Sequence, residues 1–198
     1  MNTPEPPPSL DRPGAGLSLP QLLFSRLVLA VASAVDSRAS ALRRFNAEAQ
    51  SIREMVERLD DSIGTRPVLV PSLLGLEDSS RFWSPFMVVE HLVIVDTNML
   101  RIMTDLVAGR LHPDEARIQD FKPRPSAGRS SLAAFDKLVE QFNTQVPHWP
   151  ELRTRCRHVH PWFGPLDAHR WLSLAGLHHG IHRRQLKLIL ASAGKCPT

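Results

Sequence analysis

The sequence predicts an all-α protein, a four-helix bundle joined by long crossover loops. Three observations carry that expectation. Apolar residues recur at alternating steps of three and four wherever the pattern is regular. Helix starts and stops are marked by capping residues, proline and glycine. No stretch alternates with period two and β-branched enrichment, so an extensive sheet is not expected.

Residues 1–18 hold five of the six prolines that fall in the first 20 positions, with glycine, serine and little to bury. They are expected to form a disordered tail, followed by a single domain over 19–193 and a short tail, 194–198. Residues 19–35 are apolar and form either an extra N-terminal helix or the first part of a longer one, with a break near Asp36-Ser37. Leu42, Phe45, Ala49, Ile52, Val56, Leu59 and Ile63 then describe one long apolar face. Gly64, Pro67, Pro71 and Gly75 mark a crossing loop over 64–80.

Ser84-Pro85, a cap followed by proline at the first helical position, opens a helix expected to end at Ala108 before Gly109. It is apolar nearly all round and should be the most buried. Residues 110–129 read as a second long loop. Ser131 to Val146 fits a third helix, and four prolines with Gly164 break up 147–166. A last helix is expected after Asp167, an N-cap residue, running to about Ala193.

The chain has 198 residues, 42% hydrophobic and 22% charged, which excludes a wholly disordered chain. Its only cysteines, Cys156 and Cys196, exclude a disulfide-stapled scaffold and a cysteine-rich zinc fold. Net charge is +4, unevenly spread: residues 149–198 carry +6 and the first 148 carry −2. With no basic run or recognition motif, nucleic acid is not expected as a partner; a small-molecule substrate is. The longest uninterrupted apolar run, Leu27 to Ala32, is far short of the ~20 residues that span a bilayer. No membrane association and a cytoplasmic location are therefore expected.

The nine histidines are the informative feature. His178 and His182 lie one turn apart on the inward stripe of the last helix, where two imidazoles can converge on one ion. Alternatively they line a polar groove. His91 sits in the most apolar helix, either as a core residue or as a third ligand, since bundles build metal sites from facing helices. His179 is rotated about 100° from His178 and is less well aimed. Gln185, seven residues beyond His178, either holds substrate, orients a ligand or makes an ordinary helix-end contact; Asn98 stands in the same relation to His91. Arg183 and Arg184 are candidates to receive carboxylates of a cofactor, as are Arg153, Arg155 and Arg157. His158 and His160 flank the turn before the last helix, with His160 read as structural. His112, His148 and His169 are expected to face water. Cys156, among arginines, reads as an incidental loop cysteine.

The segments WSPFMVVEHL (83–92) and HPWFGPLDAHRWLSLAGLHHGIHRRQLKLIL (160–190) resemble the DinB/YfiT-like family. The resemblance is carried by Trp83, Ser84, His91 and Leu92, by Phe163 to Leu166, and by His178, His182 and Gln185. It spans roughly residues 35–192. It implies an up-down-down-up bundle and a divalent metal held by His91, His178 and His182. Zinc is the default from ligand type, with nickel and iron also suited to three imidazoles. It further implies an S-transferase using a low-molecular-weight thiol such as bacillithiol, mycothiol or glutathione. Metal-dependent hydrolysis, or a non-catalytic metal-binding or stress-induced bundle, are the alternatives. Helices this apolar are also compatible with a homodimer. The tail, residues 19–35 and His179 are departures from the family pattern.

Overall fold

Two helices come out of the first apolar stretch, and Ser37 is the reason. In the computed structural model, which describes residues 8–115 and 117–193, α1 (Leu19–Val35) stops at Asp36 and α2 (Arg38–Val56) begins after Ser37. The Ser37 hydroxyl accepts from the Ser40 amide, and the Ser40 hydroxyl accepts from the Ser37 amide. That reciprocal pair satisfies two donors that a helix start leaves open. The buried Asp36 carboxylate takes hydrogen bonds from the Arg44 guanidinium and from Ser173 Oγ at 3.0 Å, tying the α1–α2 joint to the last helix. Burial pushes its pKa up, but the bonds from Arg44 and Ser173 outweigh that and hold it below the usual carboxylate value.

The apolar face that continues in sequence to Ile63 is cut after Val56. A single turn, α3 (Asp61–Gly64), follows. Arg129, from a distant loop, donates to the carbonyls of Glu57 and Leu59, so the helix end is satisfied from outside. The loop then closes through a two-residue ladder, β1 (Val68–Leu69) against β2 (Phe82–Trp83).

The next helix, α4 (Pro85–Val107), starts where its cap predicts: Ser84 Oγ accepts from the Met87 amide at 3.2 Å. Gly109, at φ 74°, ends it. The third, α5 (Ser130–Gln145), matches the expected span within a residue. An antiparallel hairpin, β3 (His158–His160) and β4 (Gly164–Leu166), precedes α6 (Ala168–Ala193). Asp167 Oδ1 accepts from the Arg170 amide at 2.9 Å and caps that helix.

Cross-helix contacts fix the directions. Phe45 and Glu48 of α2 meet Gly176 and Gly180 of α6 in the same order, so these two run parallel. Asn46 meets Asn143 and Arg53 meets Asp136, so α5 is antiparallel to α2. His91 meets His182 while Asp96 meets His179, in reversed order, so α4 is antiparallel to α6. The bundle is therefore up-down-down-up, with α6 between α2 and α4 and with α5 closing the ring between α4 and α2.

One half of the core gathers Phe45, Ile102, Met103, Phe142 and Trp171, with Phe45 and Phe142 stacked at 4.3 Å. The other gathers Ile52, Phe86, Leu92, Phe135 and Leu186. α1 packs outside the four on α6. It turns Phe24, Val28 and Leu29 toward a cavity and leaves Leu19, Leu23, Leu27, Val31 and Val35 exposed. No helix among the described residues is long and apolar enough to cross a membrane.

Of the tail expected to be disordered, residues 1–7 lie outside the described residues, as do 194–198 with Cys196. Residues 8–18 are instead tied down. The Asp11 amide donates to Asp78 Oδ2 at 2.8 Å, and those of Gly14 and Gly16 converge on Glu77 Oε1 at 2.8 and 3.1 Å. Both glycines sit at φ +87°, which lets two amides point at one oxygen. Glu77 is buried and needs those donors.

Candidate metal centre

The imidazoles of His91, His178 and His182 meet between α4 and α6. Each offers one ring nitrogen, and the three atoms lie within 4.8 Å of one another. His178 Nε2 is 3.3 Å from His91 Nε2 and 3.1 Å from His182 Nε2. Donors bound tetrahedrally at ~2.0–2.1 Å from one zinc ion stand ~3.3–3.4 Å apart. The donor set thus has the spacing that a single ion requires.

The other ring nitrogens decide where the protons are. His91 Nδ1 is 2.6 Å from the Phe121 carbonyl oxygen, which can only accept, so Nδ1 carries the hydrogen. His182 Nδ1 is 2.8 Å from Gln185 Oε1. The Gln185 amide is oriented because its Nε2 donates to the Ser80 carbonyl at 2.7 Å, so His182 Nδ1 also donates. Two lone pairs therefore point at His178 Nε2, which holds at most one hydrogen between them. A shared cation resolves that conflict. His178 Nδ1 has no partner among the described residues.

Burial is the main reason all three rings stay neutral. It pulls the pKa of His91 down to about 4. Those of His178 and His182 fall well below the ordinary value through burial and then through the charge of neighbouring imidazoles. Neutral imidazole is the ligating form.

Several further residues hold this arrangement. Glu90, buried beside His91, accepts from the Arg124 amide at 2.6 Å and from its guanidinium. That contact pins the loop presenting the Phe121 carbonyl. Trp83 packs its ring on His91 and His182, at 4.9 and 5.9 Å between centroids. Lys122 donates to Glu77, Ser79 and Ser80 at 2.6, 2.7 and 2.8 Å. Burial raises the pKa of Glu77, but the hydrogen bonds from Lys122, Ser79 and the Gly16 amide more than reverse this and leave it lowered. Glu90 could have been suspected as an acid inside an apolar helix; the Phe121 carbonyl leaves no trace in sequence.

The structure sorts the remaining candidates. Gln185 is fully buried behind His182, with its amide bonded to His182 Nδ1 and the Ser80 carbonyl, and does not line the cavity. The Arg183 guanidinium pairs with Glu48 of α2 and does not line the cavity. Arg184 lines the cavity wall, as does Asn98. Arg153, Arg155 and Arg157 are exposed and do not line it. His179 faces the core, where it meets Asp96 at 2.5 Å with neither side chain exposed. Of the histidines expected to face water, His148 does, but His112 and His169 are buried. His112 bonds Asp105 Oδ2 at 2.8 Å and His169 meets the Ser33 carbonyl at 3.0 Å. His160 lines the cavity and His158 does not. The Cys156 thiol donates to the Gly109 carbonyl.

The cavity over the three imidazoles has a volume of about 280 Å³, a small-molecule scale. Its wall is mainly apolar, built by α1, α4, the β3–β4 hairpin and α6.

No family model matches the chain, and no curated protein matches it. Among solved structures, TT2238, described as a four-helix bundle protein, is similar over 76% of this chain and 98% of its own. The TM-score is 0.53 and the identity 20%, a likeness of fold.

Proposed function

We propose that this chain is a divalent-metal-dependent enzyme of the DinB-like class, with His91, His178 and His182 as the metal ligands. The observation that carries the reading is the convergence of three ring nitrogens, two with their hydrogens committed elsewhere. The resemblance in the 83–92 and 160–190 segments supports the same assignment. A divalent ion in that position, zinc by ligand type, would lower the pKa of a thiol or of water and so supply a nucleophile at neutral pH.

We assign the reaction to S-transfer with a low-molecular-weight thiol of the bacillithiol, mycothiol or glutathione type. Arg184 supports this, as a cavity-wall cation with no acidic partner among the described residues, suited to a carboxylate. The buried shell of Glu90, Trp83 and Gln185 holds the ligands rigid, and the apolar roof of α1 excludes water from the electrophile. One observation favours hydrolysis as a second reading: the cavity offers few cations to a polyanionic thiol, because Lys122 is tied to Glu77.

Elemental analysis of the purified chain tests the metal assignment. About one equivalent of a divalent transition metal is expected, lost in His91→Ala with the helical fold retained by circular dichroism. Full metal content in His91→Ala, or none in the wild-type chain after incubation with zinc, would overturn it. A panel of thiols with an arylating electrophile such as 1-chloro-2,4-dinitrobenzene then separates transfer from hydrolysis.

A further inference from the structure

Several polar groups that reach the cavity are already engaged. Lys122 gives its hydrogens to Glu77, Ser79 and Ser80. His160 is different. Its ring, on β3, lines the cavity between Phe163 and Trp171, with centroids 4.7 and 5.4 Å away. Its Nδ1 accepts the Trp162 backbone hydrogen at 3.0 Å. An amide N–H can only donate, so Nδ1 carries no hydrogen and the neutral ring keeps its hydrogen on Nε2. No group among the described residues accepts it.

This is the reverse of the tautomer imposed on His91 and His182. Those rings direct lone pairs at the shared centre, whereas His160 presents a donor. Burial first, and the neighbouring His158 second, push its pKa down to about 3, so the ring stays uncharged at neutral pH. One neutral donor in an apolar wall satisfies a carbonyl oxygen. It does not compensate the desolvation of a carboxylate, which needs a cation or several donors.

We infer that His160 is a substrate-binding residue: its Nε2–H holds the carbonyl-type oxygen of an apolar-bodied molecule whose second heteroatom sits at the three-imidazole centre. The inference rests on the metal reading above and adds one substrate contact to it, a carbonyl-type oxygen at His160, with Arg184 on the same wall left for a carboxylate.

Two thiols of similar size test it on the cobalt(II)-loaded full-length chain, followed by the visible cobalt bands. 2-Mercaptoacetanilide carries a carbonyl and 2-phenylethanethiol does not. In the wild-type chain the carbonyl probe should bind about three- to tenfold more tightly, the scale of one neutral hydrogen bond. His160→Phe and His160→Ala should erase that preference while the cobalt spectrum without thiol stays unchanged. His160→Gln, which offers both an acceptor and a donor, should keep most of it. Equal binding of both probes to the wild-type chain overturns the inference. So does a preference that survives in His160→Phe, since the carbonyl would then be held by the metal. Failure of the wild-type chain to develop cobalt bands is a separate result: it overturns the metal reading, and this inference with it.

Discussion

Replacing Gln185 by leucine leaves all three imidazoles in place and removes only what orients one of them. The Gln185 side chain is fully buried and makes two hydrogen bonds, 2.8 Å to His182 Nδ1 and 2.7 Å to the Ser80 carbonyl. Leucine fills a similar volume but makes neither. His182 Nδ1–H and the Ser80 carbonyl are then left buried without partners, at about 1–3 kcal/mol each, so folding stability should fall by about 2–6 kcal/mol. The effect on the metal is separable. A freed His182 ring can rotate or take the other tautomer, which places a hydrogen on the nitrogen that should ligate. Loss of such a supporting contact weakens metal binding by about 10–100-fold. Competition with a chromophoric zinc chelator at pH 7.5 measures the affinity, and urea unfolding with and without zinc measures the stability. A folded Gln185→Leu chain binding zinc within twofold of wild type would refute the argument that Gln185 sets the His182 tautomer.

The remaining predictions concern the buried polar groups. Asp96→Leu and His179→Phe each strand one member of a fully buried pair and should cost about 2–4 kcal/mol singly by urea unfolding. The double substitution should cost clearly less than the sum, and strict additivity would show that the two do not interact. In the metal-free chain, His91 takes up a proton near pH 4 when folded but near 6.5 when unfolded. Between those values the unfolded state binds more protons, so stability falls as pH falls through that window. His91 alone contributes about 3 kcal/mol of loss, and His160, lowered to about 3, acts in the same direction. An unfolding free energy that stays flat from pH 7 to 4.5 would contradict this.

The legibility of this protein follows the range of its interactions. Ser84-Pro85, Gly109 and Asp167 could be read as helix ends because capping joins atoms two or three residues apart. The apolar face of α2 and the one-turn spacing of His178 and His182 were visible because helical periodicity is itself a local property. What lies across the bundle was not. Arg183 and Arg184 are neighbours in sequence, yet one meets Glu48 and the other lines the cavity, since adjacent helical positions face about 100° apart. His112 and His169 look like solvent-facing loop histidines until Asp105 and the Ser33 carbonyl meet them. Residues 8–18 have little of their own to bury, and Glu77 and Asp78, far along the chain, hold their amides. The sequence by itself determined the helices, their ends and two of the imidazoles on one face. Only the tertiary structure decided that His91 joins them, that Phe121 and Gln185 set which nitrogens are free, and that His160 offers the opposite tautomer. The physical reason is that a proton's position on an imidazole depends on what the other nitrogen touches, and those partners arrive only when distant segments pack.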